Sequence, residues 1–255
     1  MSDVTCAYEG NAAVLTLANE RKLNALTMGM LRQLEGYLSE IERNRDVRCV
    51  VVTGAGEKAF CCGADIAEWG PLSPAEFSRF WVREGHRIFD RLARFSKPTI
   101  AALNGHAVGG GLELAACGDI RVLSFNGRLA LPEAKIGIVP GWSGSQRLAR
   151  LLPEPVVKEM ALFGRQISAA RAMQFGFAAE CSDDVLGAAM AIAASLGTVS
   201  PRANELAKAM IHGAVGEDRA AAIEVLGSAA AASSADRSEG VEAFLGKRPP
   251  QFDGQ

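Results

Sequence analysis

Two glutamates stand in apolar surroundings. Glu113 follows Gly109-Gly110-Gly111-Leu112, and Glu133 sits between Leu131-Pro132 and the Ile136–Val139 run. A lone glutamate is ordinarily a solvated surface group. In an apolar setting its pKa rises, and general acid–base work becomes possible. Each acid lies close to a turn able to present backbone N–H groups. Cys61-Cys62-Gly63-Ala64-Asp65-Ile66 places small residues ahead of an acid, so an amide can face a ligand without side-chain obstruction. Read structurally, the same segment is a tight strand-to-helix turn.

Asn104-Gly105-His106-Ala107-Val108-Gly109-Gly110-Gly111 opens a helix running to about Cys117. The N–H groups of a first helical turn have no intrahelical partner and carry partial positive charge, which suits an oxyanion. The G-x-G-x-x-G order of a dinucleotide site is absent. Three consecutive glycines cost more entropy than close packing alone explains. Gly137-Ile138-Val139-Pro140-Gly141 is a further glycine-marked turn, directly downstream of Glu133.

The elements that must position these turns alternate in type. Val14–Leu17, Cys49–Thr53, Thr99–Leu103, Asp119–Leu123 and Arg128–Leu131 read as strands. Thr27 caps a helix with Met30, Leu31, Leu34, Leu38 and Ile41 at helical spacing. Past about Gly141 the pattern turns helical, over Val156–Phe163 and Ala169–Gln174 and through an Ala-rich tail. The alanines of low-complexity Gly227–Ser234 favour helix as well. This predicts an α/β layered core (residues 1–200) and a C-terminal helical region (201–255) that finds its core against other elements or another subunit.

With 255 residues, 49% apolar and 22% charged, the chain can bury one sizeable core. A net charge of −2 gives no general drive toward nucleic acid or anionic lipid. Six cysteines match no zinc spacing and read as free thiols, and no metal constellation is visible. Cys61-Cys62 read as buried small hydrophobes, Asp119 as a capping or buried hydrogen-bonding residue, and His86 and His212 as incidental. His106 reads as structural. The N-terminus has no signal-peptide pattern and no run approaches the ~20 apolar residues of a membrane span, so a cytoplasmic location is expected.

At these residues the sequence resembles the enoyl-CoA hydratase/isomerase (crotonase) family. The matching pieces are Arg21-Lys22-Leu23-Asn24-Ala25-Leu26, Gly63-Ala64-Asp65-Ile66, Asn104-Gly105 with Gly109-Gly110-Gly111, and Gly137–Gly141 with Gln146-Arg147-Leu148. Asp236, Glu239-Gly240, Ala243-Phe244 and Lys247-Arg248-Pro249-Pro250 with Phe252 extend the likeness to the tail. The resemblance implies an α/β spiral of repeated ββα units followed by a helical trimerisation region, giving homotrimers or hexamers.

It also implies that the amides of Ala64 and Gly110 hold the oxygen of an acyl-CoA thioester. Glu113 activates water, Glu133 delivers a proton to the α-carbon, and the Gly141 amide helps hold the water. Arg21, Lys22, Leu23, Ala25, Asp65, Ile66, Ala67, Gly109, Pro132, Trp142 and Lys247 would line the path of the acyl-CoA, with Arg248 beside Lys247. No separate cofactor is implied, because coenzyme A is part of the substrate; neither a nucleic acid nor a membrane partner is.

Two acids favour a hydratase over a double-bond isomerase, a hydrolase or a carbon–carbon lyase. A non-catalytic acyl-CoA- or RNA-binding subunit is the alternative of another class. Two positions depart from the family pattern. Ala67 replaces a common lysine, and Trp142 with Ser143 stands where small residues are usual, limiting acyl size or packing in the interior.

Overall fold

The computed structural model describes residues 3–216 and 234–255. It divides into two compact units, Met1–Pro201 and Arg202–Gln255. Of Gly227–Ser234, only Ser234 lies among the described residues.

The first unit opens with the antiparallel hairpin of β1 (Asp3–Glu9) and β2 (Ala12–Ala18). Helix α1 (Met28–Arg43) follows, and the Thr27 side chain accepts from the Met30 amide as its cap. Three ββα turns come next. The first has β3 (Cys49–Gly54), β4 (Ala59–Cys61), the short α2 (Ile66–Trp69) and α3 (Pro74–Glu76), a π-helical turn (Phe77–Val82) and α4 (Arg83–Ala93). The second has β5 (Thr99–Leu103), β6 (His106–Val108) and α5 (Gly110–Ala115). The third has β7 (Ile120–Leu123), β8 (Arg128–Ala130), a 3-10 turn (Glu133–Ile136), α6 (Gly144–Leu151) and α7 (Glu154–Phe163). The unit closes with β9 (Gln166–Ser168), α8 (Ala169–Gln174), β10 (Glu180–Cys181) and α9 (Val185–Ser195).

The leading strand of each turn joins one sheet and the trailing strand joins another. The six-stranded sheet runs β1-β2-β3-β5-β7-β10 and the four-stranded sheet β4-β6-β8-β9. Among the described residues, only β1 with β2 and β8 with β9 pair antiparallel.

Strands β2, β3 and β5 of the large sheet are buried on both faces, and they split their side chains by alternation. Leu15, Leu17, Val50, Val52, Ala101 and Leu103 face the main core with α1 and α4. Their in-between neighbours Val14, Cys49, Val51, Ile100 and Ala102 pack against Val185, Ala189 and Ala193 of α9. This is why β3 reads as a continuous apolar run rather than an alternating one. Asp119 ties the start of β5 by accepting from the Thr99 amide at 2.8 Å and from its hydroxyl at 3.0 Å.

The second unit carries α10 (Pro201–Ala214) and α11 (Ala235–Leu245). Within it Arg248 pairs with Glu239 at 2.5 Å. No single helix among the described residues is long and apolar enough to cross a membrane.

Candidate active site

Strands β4, β6 and β8 are parallel neighbours, so their carboxyl ends emerge side by side at steps of about 4.8 Å. Ala64, Gly110 and Glu133 each follow one of those ends within two or three residues. The chain thus brings together groups that lie far apart in sequence. A β-bulge between Ala59 and Cys61 precedes the first of these turns and re-aims the chain leaving the strand.

The segment after β4 is held by the loop Leu23–Leu26. Leu26 donates to the Gly63 carbonyl at 2.7 Å, and Asp65 donates to the Leu26 carbonyl at 2.8 Å. Leu26 and Ala64 therefore form a parallel bridge. A residue between two such bonds turns its own N–H to the opposite edge. That edge faces Gly110: a Cβ on Gly110 would stand 3.6 Å from the Ala64 nitrogen, and one on Gly63 would stand 3.6 Å from the Gly110 nitrogen. The two amides are neighbours, and among the described residues neither has an acceptor. Their turns need glycine, with φ of 103° at Gly63 and 53° at Gly109, a region that Cβ-bearing residues rarely enter.

Both glutamates are buried, Glu113 at 3% and Glu133 at 7% exposure. Glu113 Oε1 accepts from the amides of Trp142 at 2.8 Å and Gly144 at 2.7 Å. Burial, the largest influence, leaves its pKa raised, and the Gly144, Trp142 and Gly141 amides and the Arg147 charge offset part of that rise. Glu133 has no comparable support: its Oε2 is buried without a hydrogen-bond partner. Burial, reinforced by the charge of Glu113, pushes it up to about 7. Of this coupled pair Glu113 has the donors that stabilise a charge, the Trp142 and Gly144 amides, and Glu133 has the less supported carboxylate.

A cavity of about 330 Å³ opens in front of these groups. Of the residues singled out from sequence, Ala64, Ile66, Gly109, Gly110, Glu113, Pro132, Glu133, Gly141 and Trp142 line it. Others lie elsewhere. Arg21 and Leu23 line a separate hollow with Asn24 and Lys58. Asp65 is occupied, capping α2 through the Ala67 amide at 3.1 Å and pairing with Lys22 at 2.6 Å. Ala67 is exposed on α2, and Ala25 is half-buried in the loop that braces the Gly63–Asp65 turn. Lys247 lies in the second unit, with a left-handed φ of 50°.

The Gly137–Gly141 turn contributes Ile138 and Val139 to the lining, and sequence reasoning missed the apolar wall made by Trp69, Phe77, Trp81 and Val82. It also missed the support beneath Glu113. Buried Arg147 is ion-paired with Asp90, and its Nη1 points to the Trp142 carbonyl at 3.5 Å. His86 is not incidental: it contacts Ser143 Oγ at 3.0 Å and Asp90 at 3.4 Å. Only the Gln146-Arg147-Leu148 run signalled that this stretch mattered. Cys61 is buried, and burial pushes its thiol up to about 12. Cys62 is half-buried on the cavity wall.

The sequence profile of the Enoyl-CoA hydratase/isomerase family matches residues 8–255. A short-chain-enoyl-CoA hydratase of Clostridium acetobutylicum is 35% identical over 252 residues, covering 97% of this chain and 96% of that protein. Among solved structures, an enoyl-CoA hydratase from Bacillus anthracis superposes with a TM-score of 0.81 at 32% identity, covering 99% of both chains. DspI of Pseudomonas aeruginosa reaches a TM-score of 0.82 at 33% identity, covering 98% of this chain and 96% of the other. With spiral, strand-end turns and whole-length similarity in agreement, the chain belongs to the enoyl-CoA hydratase/isomerase family and has the crotonase fold.

Proposed function

We propose that the protein adds water across the 2,3 double bond of a trans-2-enoyl-CoA thioester. The observation that carries this reading is the meeting, among the described residues, of two N–H groups that have no acceptor with a buried carboxyl oxygen of Glu133 that has no donor. The thioester oxygen takes both N–H bonds, of Ala64 and Gly110, and gathers negative charge as the α,β bond is attacked. Each such donor is worth about 3 kcal/mol of barrier. Glu113, held ionised by backbone amides, takes a proton from water as its oxygen bonds to the β-carbon. Glu133, protonated near neutrality, gives its proton to the α-carbon. The pair holds one proton before and after addition, and transfer back from Glu113 to Glu133 resets it.

In this reading Gly141 helps place the water, and Arg21 and Lys22 meet the nucleotide end of the substrate, with Lys247 supplied by a neighbouring subunit. No additional cofactor takes part. The exposed Met210, Ile211, Phe244 and Leu245 of the second unit support self-association as a homotrimer or hexamer, and the cytoplasm is the proposed location.

The test is loss of the conjugated thioester absorbance when purified protein meets crotonyl-CoA and longer enoyl-CoAs. Glu113→Gln should lower the rate by about a hundredfold or more while acyl-CoA binding persists. Near-native turnover in that variant would end the two-acid mechanism. An unchanged absorbance across all substrates would end hydration itself.

A further inference from the structure

The chain's three tryptophans, Trp69, Trp81 and Trp142, all line the cavity in front of the acids, although only 6% of residues are aromatic. Trp142 is held differently from the others. Its amide is one of the two that support Glu113, so its backbone is tied to the acid. Its indole is 3% exposed and packs with ring centroids 5.6 Å from Trp81 and 5.0 Å from Phe89. The indole Nε1 donates to the Trp81 carbonyl at 3.4 Å.

Two glycines make room for that ring. A Cβ on Gly85 would stand 2.3 Å from Nε1, and one on Gly110 would stand 2.8 Å from Cζ3. Gly85 lies inside α4, where glycine is a poor helix former, so its place there answers to the indole. The ring is wedged between the first residue of α5 and the flank of α4.

We propose that Trp142 closes the inner end of the acyl pocket and restricts the substrate to short, unbranched enoyl thioesters. The inference rests on the hydration reading above. With the carbonyl at Ala64 and Gly110 and the β-carbon at Glu113, further methylenes run onto the indole. Truncation to alanine frees apolar space on the order of 150 Å³, enough for a benzene-sized guest.

The test compares wild type, Trp142→Phe and Trp142→Ala on crotonyl-, hexenoyl-, octenoyl- and decenoyl-CoA by kcat/KM. Binding of saturated butyryl- and octanoyl-CoA is followed in parallel through quenching of the remaining tryptophans. A single misfitting methylene costs roughly tenfold or more. Wild type should therefore favour crotonyl- over octenoyl-CoA by at least about a hundredfold. Trp142→Ala should raise the octenoyl-to-crotonyl ratio by about tenfold or more, with Trp142→Phe between.

An unchanged ratio in both variants, or wild-type decenoyl-CoA turnover equal to that of crotonyl-CoA, overturns the proposal. If Trp142→Ala does not fold, the Phe variant carries the comparison. A wild type that hydrates nothing yet binds butyryl-CoA more tightly than octanoyl-CoA sinks the hydration reading and leaves the Trp142 assignment standing.

Discussion

Glu133→Gln separates the electrostatics of the site from its chemistry. In the folded chain the Glu133 carboxyl is raised from 4.5 to about 7. At roughly 1.4 kcal/mol per pKa unit, that difference is worth about 3 kcal/mol of folding free energy. The sign follows from proton counting. Between those pH values the native state holds a proton that the unfolded chain has released, so stability falls as pH rises through the interval. The stabilising contribution is complete below 4.5 and lost above about 7.

Glutamine cannot titrate, and it also removes the like charge facing Glu113. Urea unfolding of both proteins at one protomer concentration, at about pH 5 and about pH 8.5, measures the gap between them. That gap should shift by about 3 kcal/mol in favour of the variant at the higher pH. The fixed cost of burying an amide cancels in the comparison. Stability curves that run parallel across the interval would refute the reasoning, because they require a carboxyl that titrates as it does in the unfolded chain.

Other expectations follow from the same contacts. Gly110→Ala puts a methyl 2.8 Å from the Trp142 ring and should cut hydration by about a hundredfold with an unchanged circular-dichroism spectrum. Arg147→Ala strips Asp90 of its buried partner and should cost about 3 kcal/mol in urea unfolding, with Arg147→Lys milder. Asp65→Ala removes the α2 cap and the Lys22 pair and should cost about 1 kcal/mol by the same measure. Above about pH 7 the kcat/KM of wild type should fall as Glu133 loses its proton.

What was legible in the sequence was local. β5 and α8 have the bounds that composition predicted, Thr99–Leu103 and Ala169–Gln174. The Thr27 cap and the α1 stripe follow from spacing alone. The glycine turns announced themselves because few other uses explain them. What stayed hidden depends on contacts between distant segments. Nothing in Phe77–Val82 marks a π-helical turn, yet Phe77, Trp81 and Val82 of that turn line the cavity. Trp142 could be read as a plug or as packing, and its neighbours Trp81 and Phe89 lie 61 and 53 residues away in sequence. Asp65 looked like a ligand-facing residue from its place in the motif, yet its oxygens are committed to a helix end and a lysine.

The adjacency of β4, β6 and β8 makes the spiral a rack with three slots. Each slot presents its own short segment, and each is refilled by altering a few residues beyond a strand end while the ladder beneath keeps its pairing. A lineage can exchange the acid after β8 without disturbing the amides after β4 and β6. Such a scaffold can diversify its chemistry one tooth at a time, keeping the paired amides while the groups facing them change.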